Sequence, residues 1–304
     1  MKISIVGCGH VGATTAFALL LKELAGSILL IDRDQNKAQS DAMDLSHAMA
    51  FTNRIIPVNA GPLEKSAGSD IIILSASVPW LSGYQSRFDL GPGNLELFRK
   101  LVPRLASLSP GAIIIVLSNP LDVMTYYTLK LSGFPPNRVF GVGTLIDSAR
   151  FRKFLSEKYR IHPDDIRAYV LGEHGETQFP LLSNIYAGGE RIDDPESGLY
   201  LLHQSGQAAY EIVRGKGYTN FAVSLATALV VESIAFDEKR TMPLSTFVDG
   251  YLDEQEVCLS LPVVVGRTGI RQWLHPELDE SEKAAFKASA SMVRAEIDKL
   301  KASE

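Results

Sequence analysis

The sequence predicts an α/β fold: a doubly wound parallel sheet over the first half of the chain, followed by a second half of α+β character. Three observations carry this. A glycine-rich turn, Gly7-Cys8-Gly9-His10-Val11-Gly12, joins an apolar run at residues 1–6 to a helical stretch. Short, wholly apolar runs then alternate with helical patterns, as parallel strands buried on both faces and their right-handed crossovers do. Past Phe140-Gly141-Val142-Gly143-Thr144 the alternation stops.

The elements follow in order. Residues 1–6 form the first strand, and Val11, Ala13, Phe17, Leu20, Leu21 and Leu24 supply the apolar content of the next helix. Residues 28–31 form a second strand ending at Asp32, and residues 36–47 a helix. Ile55-Ile56-Pro57-Val58 reads as a short edge strand, where proline is tolerated. Residues 71–74 and 112–117 read as central strands. A helix at about 95–108 carries Pro103, a kink or boundary, and residues 121–131 form another. The second half shows a helix at 145–159, a strand at 166–171 and a turn at Gly188-Gly189-Glu190. Helices at 196–213 and 219–236 are interrupted by Gly215-Lys216-Gly217, and residues 257–261 and 263–265 read as a hairpin divided by Pro262. Asp279-Glu280-Ser281-Glu282 forms a capping box for a last helix. The chain is expected to divide into domains of residues 1–142 and 143–304, the second a separate body with a cleft against the first. A mobile loop around residues 78–93 contains Gly83, Gly91 and Gly93 as hinges.

Composition narrows the class. The 304 residues are 46% hydrophobic and 21% charged, ordinary for a globular protein, and the formal charge of -5 gives no support to nucleic-acid binding. Cys8 and Cys258 form neither a disulfide framework nor a thiolate metal site, and Cys8 reads as a small apolar filler. No metal-ligand spacing occurs: His162 and His174 stand alone. No signal peptide pattern and no apolar run of membrane-spanning length is found, so a cytoplasmic setting is expected.

The opening turn implies a dinucleotide. Gly7 makes the tight turn, Gly9 lets the backbone approach a pyrophosphate, and Gly12 lets helix and strand pack closely. The helix N-terminus offers free N–H groups and its positive dipole end to phosphates. Asp32 follows Gly12 by twenty residues, at the end of the next strand. There a carboxylate accepts from both ribose hydroxyls and repels a 2′-phosphate, which favours NAD over NADP despite Arg33. Together these features define a Rossmann-type domain. Asp32, Ser75-Ala76-Ser77-Val78-Pro79 and Asn119 fall with the glycine turn at carboxyl ends of strands, where such sheets bind ligands.

The chemistry centres on Leu171-Gly172-Glu173-His174-Gly175. A histidine can take a hydroxyl proton while hydride leaves the adjacent carbon, and works better with a carboxylate on its other nitrogen. Asp147 suits that role, and Arg150, three residues on along a helix, can clamp a substrate carboxylate in its guanidinium fork. The plainer reading of this pair is an internal salt bridge, and of His174 a structural histidine. Arg87, on the loop, can close onto a substrate oxygen and expel water, or simply be solvated. Asn119 can donate to that oxygen or cap the next helix.

With these residues in place, the chain resembles the lactate/malate dehydrogenase family nearly end to end, closest to its lactate branch. The resemblance rests on Gly7–Gly12, Asp32, Ala42-Met43-Asp44-Leu45, Gly83 with Arg87-Phe88-Asp89-Leu90, Ser118-Asn119-Pro120 and Asp122. It continues through Gly143-Thr144, Asp147-Ser148-Ala149-Arg150, Gly172-Glu173-His174-Gly175-Glu176-Thr177, Lys216-Gly217-Tyr218-Thr219 and Gly266-Arg267-Thr268-Gly269-Ile270. It implies reversible hydride transfer between an (S)-2-hydroxy acid and NAD⁺. His174 would move the proton, Asp147 orient it, Arg150 clamp the carboxylate, and Arg87 polarise the carbonyl with help from Asn119. Thr219 would line the substrate pocket and Val223 pack near the nicotinamide. A dimer or homotetramer is implied.

Two departures qualify the resemblance. Trp80 stands where lactate enzymes carry glutamine and malate enzymes arginine, so it supplies no cation for a second carboxylate. Leaving that carboxylate unpaired in the site costs several kcal/mol, which disfavours malate. Lactate is the first expectation; a larger aliphatic or aromatic 2-hydroxy acid, packed against the indole, is the alternative. Gly91-Pro92-Gly93 replaces an ordinary helix start and is expected to alter loop hinging. Arg152 and Arg167 match positions at which some bacterial relatives bind fructose 1,6-bisphosphate between subunits; subunit salt bridges are the favoured reading of this altered pair. The competing functional class is a catalytically silent NAD-binding protein, which would bind NADH without oxidising it.

Overall fold

The computed structural model describes residues 1–84 and 86–302; Gln85, inside the expected loop, and Ser303 and Glu304, inside the expected second domain, lie outside the described residues. Strand β1 (Lys2–Val6) enters the glycine turn, from which α1 (His10–Leu21) leads to β2 (Ser27–Ile31). Then come α2 (Gln35–Ala48), β3 (Val58–Ala60), β4 (Ile71–Leu74), α3 (Gly91–Leu108), β5 (Ile113–Val116), α4 (Leu121–Ser132) and β6 (Val139–Gly141). These six strands are parallel to their neighbours. Every side chain of β4 and β5 is buried, as a central strand covered on both faces requires. One face packs against α1 and α2, with Leu19, Leu20, Ala38 and Ala42 over Ile3, Ile5 and Ile73. Phe98, Val102 and Leu105 of α3 and Met124 of α4 cover Ile72, Leu74 and Ile114 on the other. Each such fully buried aliphatic side chain contributes about 1.5–3 kcal/mol.

The second half opens with α5 (Leu145–Tyr159), β7 (Ile166–Arg167), β8 (Val170–Leu171), β9 (Phe179–Pro180), β10 (Tyr186–Ala187) and β11 (Glu190–Arg191). It closes with α6 (Pro195–Lys216), α7 (Phe221–Phe236), β12 (Arg240–Asp249), β13 (Gln255–Gly266), β14 (Gly269–Trp273) and α8 (Glu280–Ala302). Strands β12, β13 and β14 extend the parallel sheet antiparallel, in the order β14-β13-β12-β6-β5-β4-β1-β2-β3. The junction is one register pair, Ser245 on β12 with Gly141 on β6. Both halves therefore contribute strands to one sheet.

Several elements differ from expectation for identifiable reasons. The edge strand begins at Val58, just beyond Pro57, whose carbonyl still accepts from Ile28. Helix α3 begins at Gly91, with Gly91 in helical geometry (φ −51°, ψ −55°) and a proline in the first turn, where a missing N–H costs little. Gly91-Pro92-Gly93 is thus a helix start; of the three expected hinges only Gly83 has φ in the left-handed region, +106°. The same helix runs through Pro103, its buried Phe98, Val102 and Leu105 carrying the packing past it. Residues 166–171 split into β7 and β8, which join different small sheets. Residues 257–265 lie within one strand, with Pro262 opposite Pro243. The Pro262 carbonyl accepts from Leu274, so its missing donor faces the side on which β14 has just ended.

At Gly7, φ is +97° and an added Cβ would lie 2.4 Å from the Ala76 nitrogen. At Gly12 an added Cβ would lie 1.9 Å from the Gly7 carbonyl oxygen, whereas at Gly9 it would meet nothing within 4 Å. Gly12→Ala is therefore expected to lower stability by about 1–3 kcal/mol through overpacking, and Gly9→Ala to leave it nearly unchanged. Thermal unfolding of the two variants checks this; equal midpoints would contradict the close approach of turn and helix.

Candidate active site

The carboxyl ends of β1, β2, β4 and β5 bring the first-half candidates to one edge of the sheet. The open side of Gly9 lies at the start of α1, whose first turn holds no acidic residue to oppose an anion. Asp32 follows β2; its Oδ2 accepts from the Cys8 N–H at 2.6 Å and its Oδ1 from the Asp34 N–H at 2.9 Å. Each carboxylate oxygen keeps further acceptor capacity for a ribose hydroxyl. The turn is thus braced by the acid it sits beside, and these residues fit a dinucleotide. Burial, then Asp32 and Asp41, push the Cys8 thiol up to about 12, which leaves it inert.

Asp147 lies in the first turn of α5, and Arg150 one turn further on. Asp147 Oδ2 is 2.6 Å from His174 Nδ1, and its Oδ1 accepts from Arg150 Nη1 at 3.0 Å. The carboxylate thus joins an internal salt bridge and also reaches the histidine. Burial alone would raise the Asp147 carboxyl, but His174, then Arg150 and Arg87, outweigh it and hold it at about 2. A carboxylate only accepts, so Nδ1 carries the proton. Arg87 Nη1, which only donates, lies 3.2 Å from His174 Nε2, so that nitrogen presents its lone pair.

His174 Nε2 faces a cavity of about 80 Å³. Arg87, Arg150, Asn119, Thr219 and Val223 line it together with His174. Asn119 Oδ1 is buried there without a hydrogen-bond partner among the described residues. Sequence reading did not identify Val11, Leu117, Leu121, Val142 and Ile146, which make the apolar wall; as core-type residues they carried no separate signal. Nor did it find Asn94, a fully buried residue of α3. Its side chain accepts from the Val78 N–H at 2.7 Å and donates to the Asn119 carbonyl at 2.6 Å, tying the loop base to the end of β5.

Three expected residues stand elsewhere. Trp80 is 55% exposed and packs edge-on against Tyr84, with ring centroids 5.7 Å apart, outside the cavity that Arg87 reaches. The indole thus meets Tyr84; contact with a substrate tail and an outward placement were both open for Trp80 from the sequence. Arg152 is largely buried, which lowers its affinity for a proton, and its Nε lacks a partner among the described residues. Arg167 is the exposed residue of β7, beside an open groove of about 560 Å³, which Asp164, Asp165 and Tyr186 also line.

The two halves meet at the glycine turn. His10 stacks on Tyr218 at 3.5 Å, Asn220 Nδ2 donates to Thr14 at 2.8 Å, and Thr15 and Ser224 hydroxyls lie 3.1 Å apart. These contacts hold Thr219 and Val223 against the N-terminal end of α1.

The chain is similar over nearly its whole length to known proteins of one family. The family model for the lactate/malate dehydrogenase NAD-binding domain matches residues 1–141, and that for the family's α/β C-terminal domain matches residues 144–304. An L-lactate dehydrogenase of Synechococcus sp. (strain JA-3-3Ab) is 38% identical, covering 99% of this chain and 100% of its own. One from Clostridium perfringens (strain SM101 / Type A) is 37% identical, covering 97% and 96%. The crystal structure of a minor L-lactate dehydrogenase from Enterococcus mundtii, in a ligand-bound form, matches with a TM-score of 0.93 at 32% identity, over 98% of each chain.

The Asp147 carboxyl, lowered from its ordinary 3.8 to about 2, stabilises the folded state fully above about pH 4, and this contribution is lost as pH falls through about 2. Urea unfolding between those limits should therefore show a steeper acid loss for the wild type than for Asp147→Asn. Parallel acid limbs would contradict the ionic bonding of Asp147 to His174 and Arg150.

Proposed function

Because the chain belongs to the lactate/malate dehydrogenase family, we propose that it is an NAD-dependent L-lactate dehydrogenase, interconverting (S)-lactate and pyruvate. The observation that carries this is the convergence of His174, Asp147, Arg150 and Arg87 on one small cavity. Residues 1–142 hold the dinucleotide at Gly7, Gly9, Gly12 and Asp32, with Asn119 and Val223 beside its reactive end; residues 143–304 supply the substrate side. NAD, when bound, supplies the hydride acceptor or donor.

The protein's own groups do the rest. Arg150 holds the substrate carboxylate with the N–H groups that Asp147 leaves free. His174 Nε2 accepts the hydroxyl proton as lactate is oxidised and returns it in reduction, while Asp147 stabilises the imidazolium. Arg87 exchanges its contact with Nε2 for the substrate oxygen, where its positive charge opposes the developing alkoxide. Asn119 assists there, and Thr219 bounds the methyl side.

Lactate is favoured over malate because Arg87 and Arg150 are the cations among the described lining residues, and both are committed. A second carboxylate would enter unpaired. Asp164 and Asp165 beside Arg167 oppose a bisphosphate, which favours subunit contacts as the role of Arg152 and Arg167. Exposed Phe17 and Leu21 on α1, with Phe221 and Leu225 on the adjacent α7, support a dimer or tetramer. Free, buried cysteines agree with a cytoplasmic setting. No single described helix is long and apolar enough to cross a membrane.

NADH oxidation should be followed by absorbance with pyruvate, oxaloacetate, 2-oxobutyrate, 2-oxoisocaproate and phenylpyruvate, with and without fructose 1,6-bisphosphate. Pyruvate is expected to give the highest kcat/KM, without response to the bisphosphate. NADH binding with no turnover on any acid would replace this reading by a silent binding protein. His174→Asn should keep NADH binding and lose about 10²–10⁴-fold in kcat. Arg150→Leu should lose about 2–5 kcal/mol in kcat/KM, chiefly through substrate binding, and an unchanged KM would remove it as the clamp.

A further inference from the structure

His174 is held by no regular element. It follows β8 by three residues, and its main-chain N–H is met by a side chain from the other half of the molecule. Asp122 Oδ2 accepts that N–H at 2.7 Å, and Asp122 Oδ1 accepts from the Ser245 hydroxyl at 2.6 Å. Asp122 lies in the first turn of α4, next to Leu121 and close to Asn119, both of which line the cavity. Ser245 is the residue through which β12 joins β6. One carboxylate therefore connects the start of α4, the seam between parallel and antiparallel strands, and the backbone of His174.

The cost of this arrangement marks it as more than packing. Asp122 is 2% exposed and, among the described residues, forms no ion pair with Lys or Arg. Burying a carboxylate without a cation is expensive, and burial pushes the Asp122 carboxyl up to about 7. Glu173 adds to the rise, while Ser245, the His174 N–H and the His174 ring oppose it. Cys258, on β13, also senses its charge. A loop N–H needs an acceptor, but any carbonyl or amide would serve that need. The acceptor here belongs to a helix start that also forms the cavity wall, so the imidazole and the wall move as one piece.

We propose that Asp122 is a positioning residue for proton transfer: it fixes the main chain of His174 while Asp147 fixes the ring. The proposal rests on the reading of His174 as the proton-transfer group. Without Asp122 the glycine-flanked segment is free to shift, and a displacement of an ångström at Nε2 can cost about a hundredfold in rate.

Asp122→Ala is expected to lower kcat by roughly 10- to 100-fold, with KM for pyruvate and the dissociation constant for NADH nearly unchanged. Asp122→Asn keeps an acceptor for the His174 N–H and should recover most of the lost kcat. An activity-independent readout is the NMR signal of the Nδ1 proton shared by His174 and Asp147, which should shift in Asp122→Ala and return in Asp122→Asn. If Asp122→Ala does not fold, Ser245→Ala, which deprives Asp122 of one partner, should show a smaller drop in kcat and a smaller shift, again at constant KM. A lowered melting temperature with wild-type kcat per folded molecule and an unmoved signal would make Asp122 a structural residue only. A wild type inert towards every 2-oxo acid, with the signal still moved by Asp122→Ala, would overturn the role of His174 and leave its positioning intact.

Discussion

A buried carboxylate with two partners governs this site. Asp147 can be ionised inside the fold because His174 and Arg150 each take one of its oxygens, and together with Arg87 they outweigh its desolvation. Its accept-only chemistry decides the rest. It fixes the proton on Nδ1, which leaves Nε2 as the basic atom in the cavity, and it orients the Arg150 guanidinium beside that atom. The guanidinium proposed to bind the acid and the imidazole proposed to take its hydroxyl proton are thereby set by one group, and each loses its bond to Asp147 if it shifts.

That coupling demands a rigid junction between the halves. Asp147 and His174 follow the parallel sheet in sequence, whereas Arg87, Asn119 and Leu121 come from within it. The nine strands form one sheet, with Ser245 opposite Gly141 at the seam, and Ser260 pairs with Gly172 ahead of His174. The cavity is built across this seam. On its other side His10 and Tyr218 stack, so the glycine turn and the segment bearing Thr219 are also joined.

Much of this was legible where a residue's chemistry has one economical use. Gly7, Gly9 and Gly12 mark a turn whose close approaches forbid a side chain at two positions and leave the third open. The spacing of Asp147 and Arg150 already placed both on one helix face. Strands of four isoleucine-like residues announced themselves, and α5 spans residues 145–159 as its pattern indicated. What escaped the sequence depends on partners distant along the chain. Strand β6 has three residues, too few for a period, and β12 carries Pro243, opposite Pro262 on the neighbouring strand. The continuity of the sheet is invisible until Ser245 meets Gly141. Trp80 was assigned by its count from Arg87, but counting fixes a position along a loop and not the direction of an indole, which finds Tyr84 outside.

The same limit explains why Asp122 was legible only as part of a motif. An aspartate in the first turn of a helix is adequately explained by the helix dipole, and nothing local suggests more. Its second function appears only when a loop fifty-two residues away donates a backbone N–H to it and a strand one hundred and twenty-three residues away donates a hydroxyl. Catalytic groups that touch substrate are constrained by chemistry and can be inferred from residue type. Groups that hold them are constrained by topology: any acceptor of the right length would do, provided the fold delivers it there. The supports of an active site are therefore the last part of it to become readable.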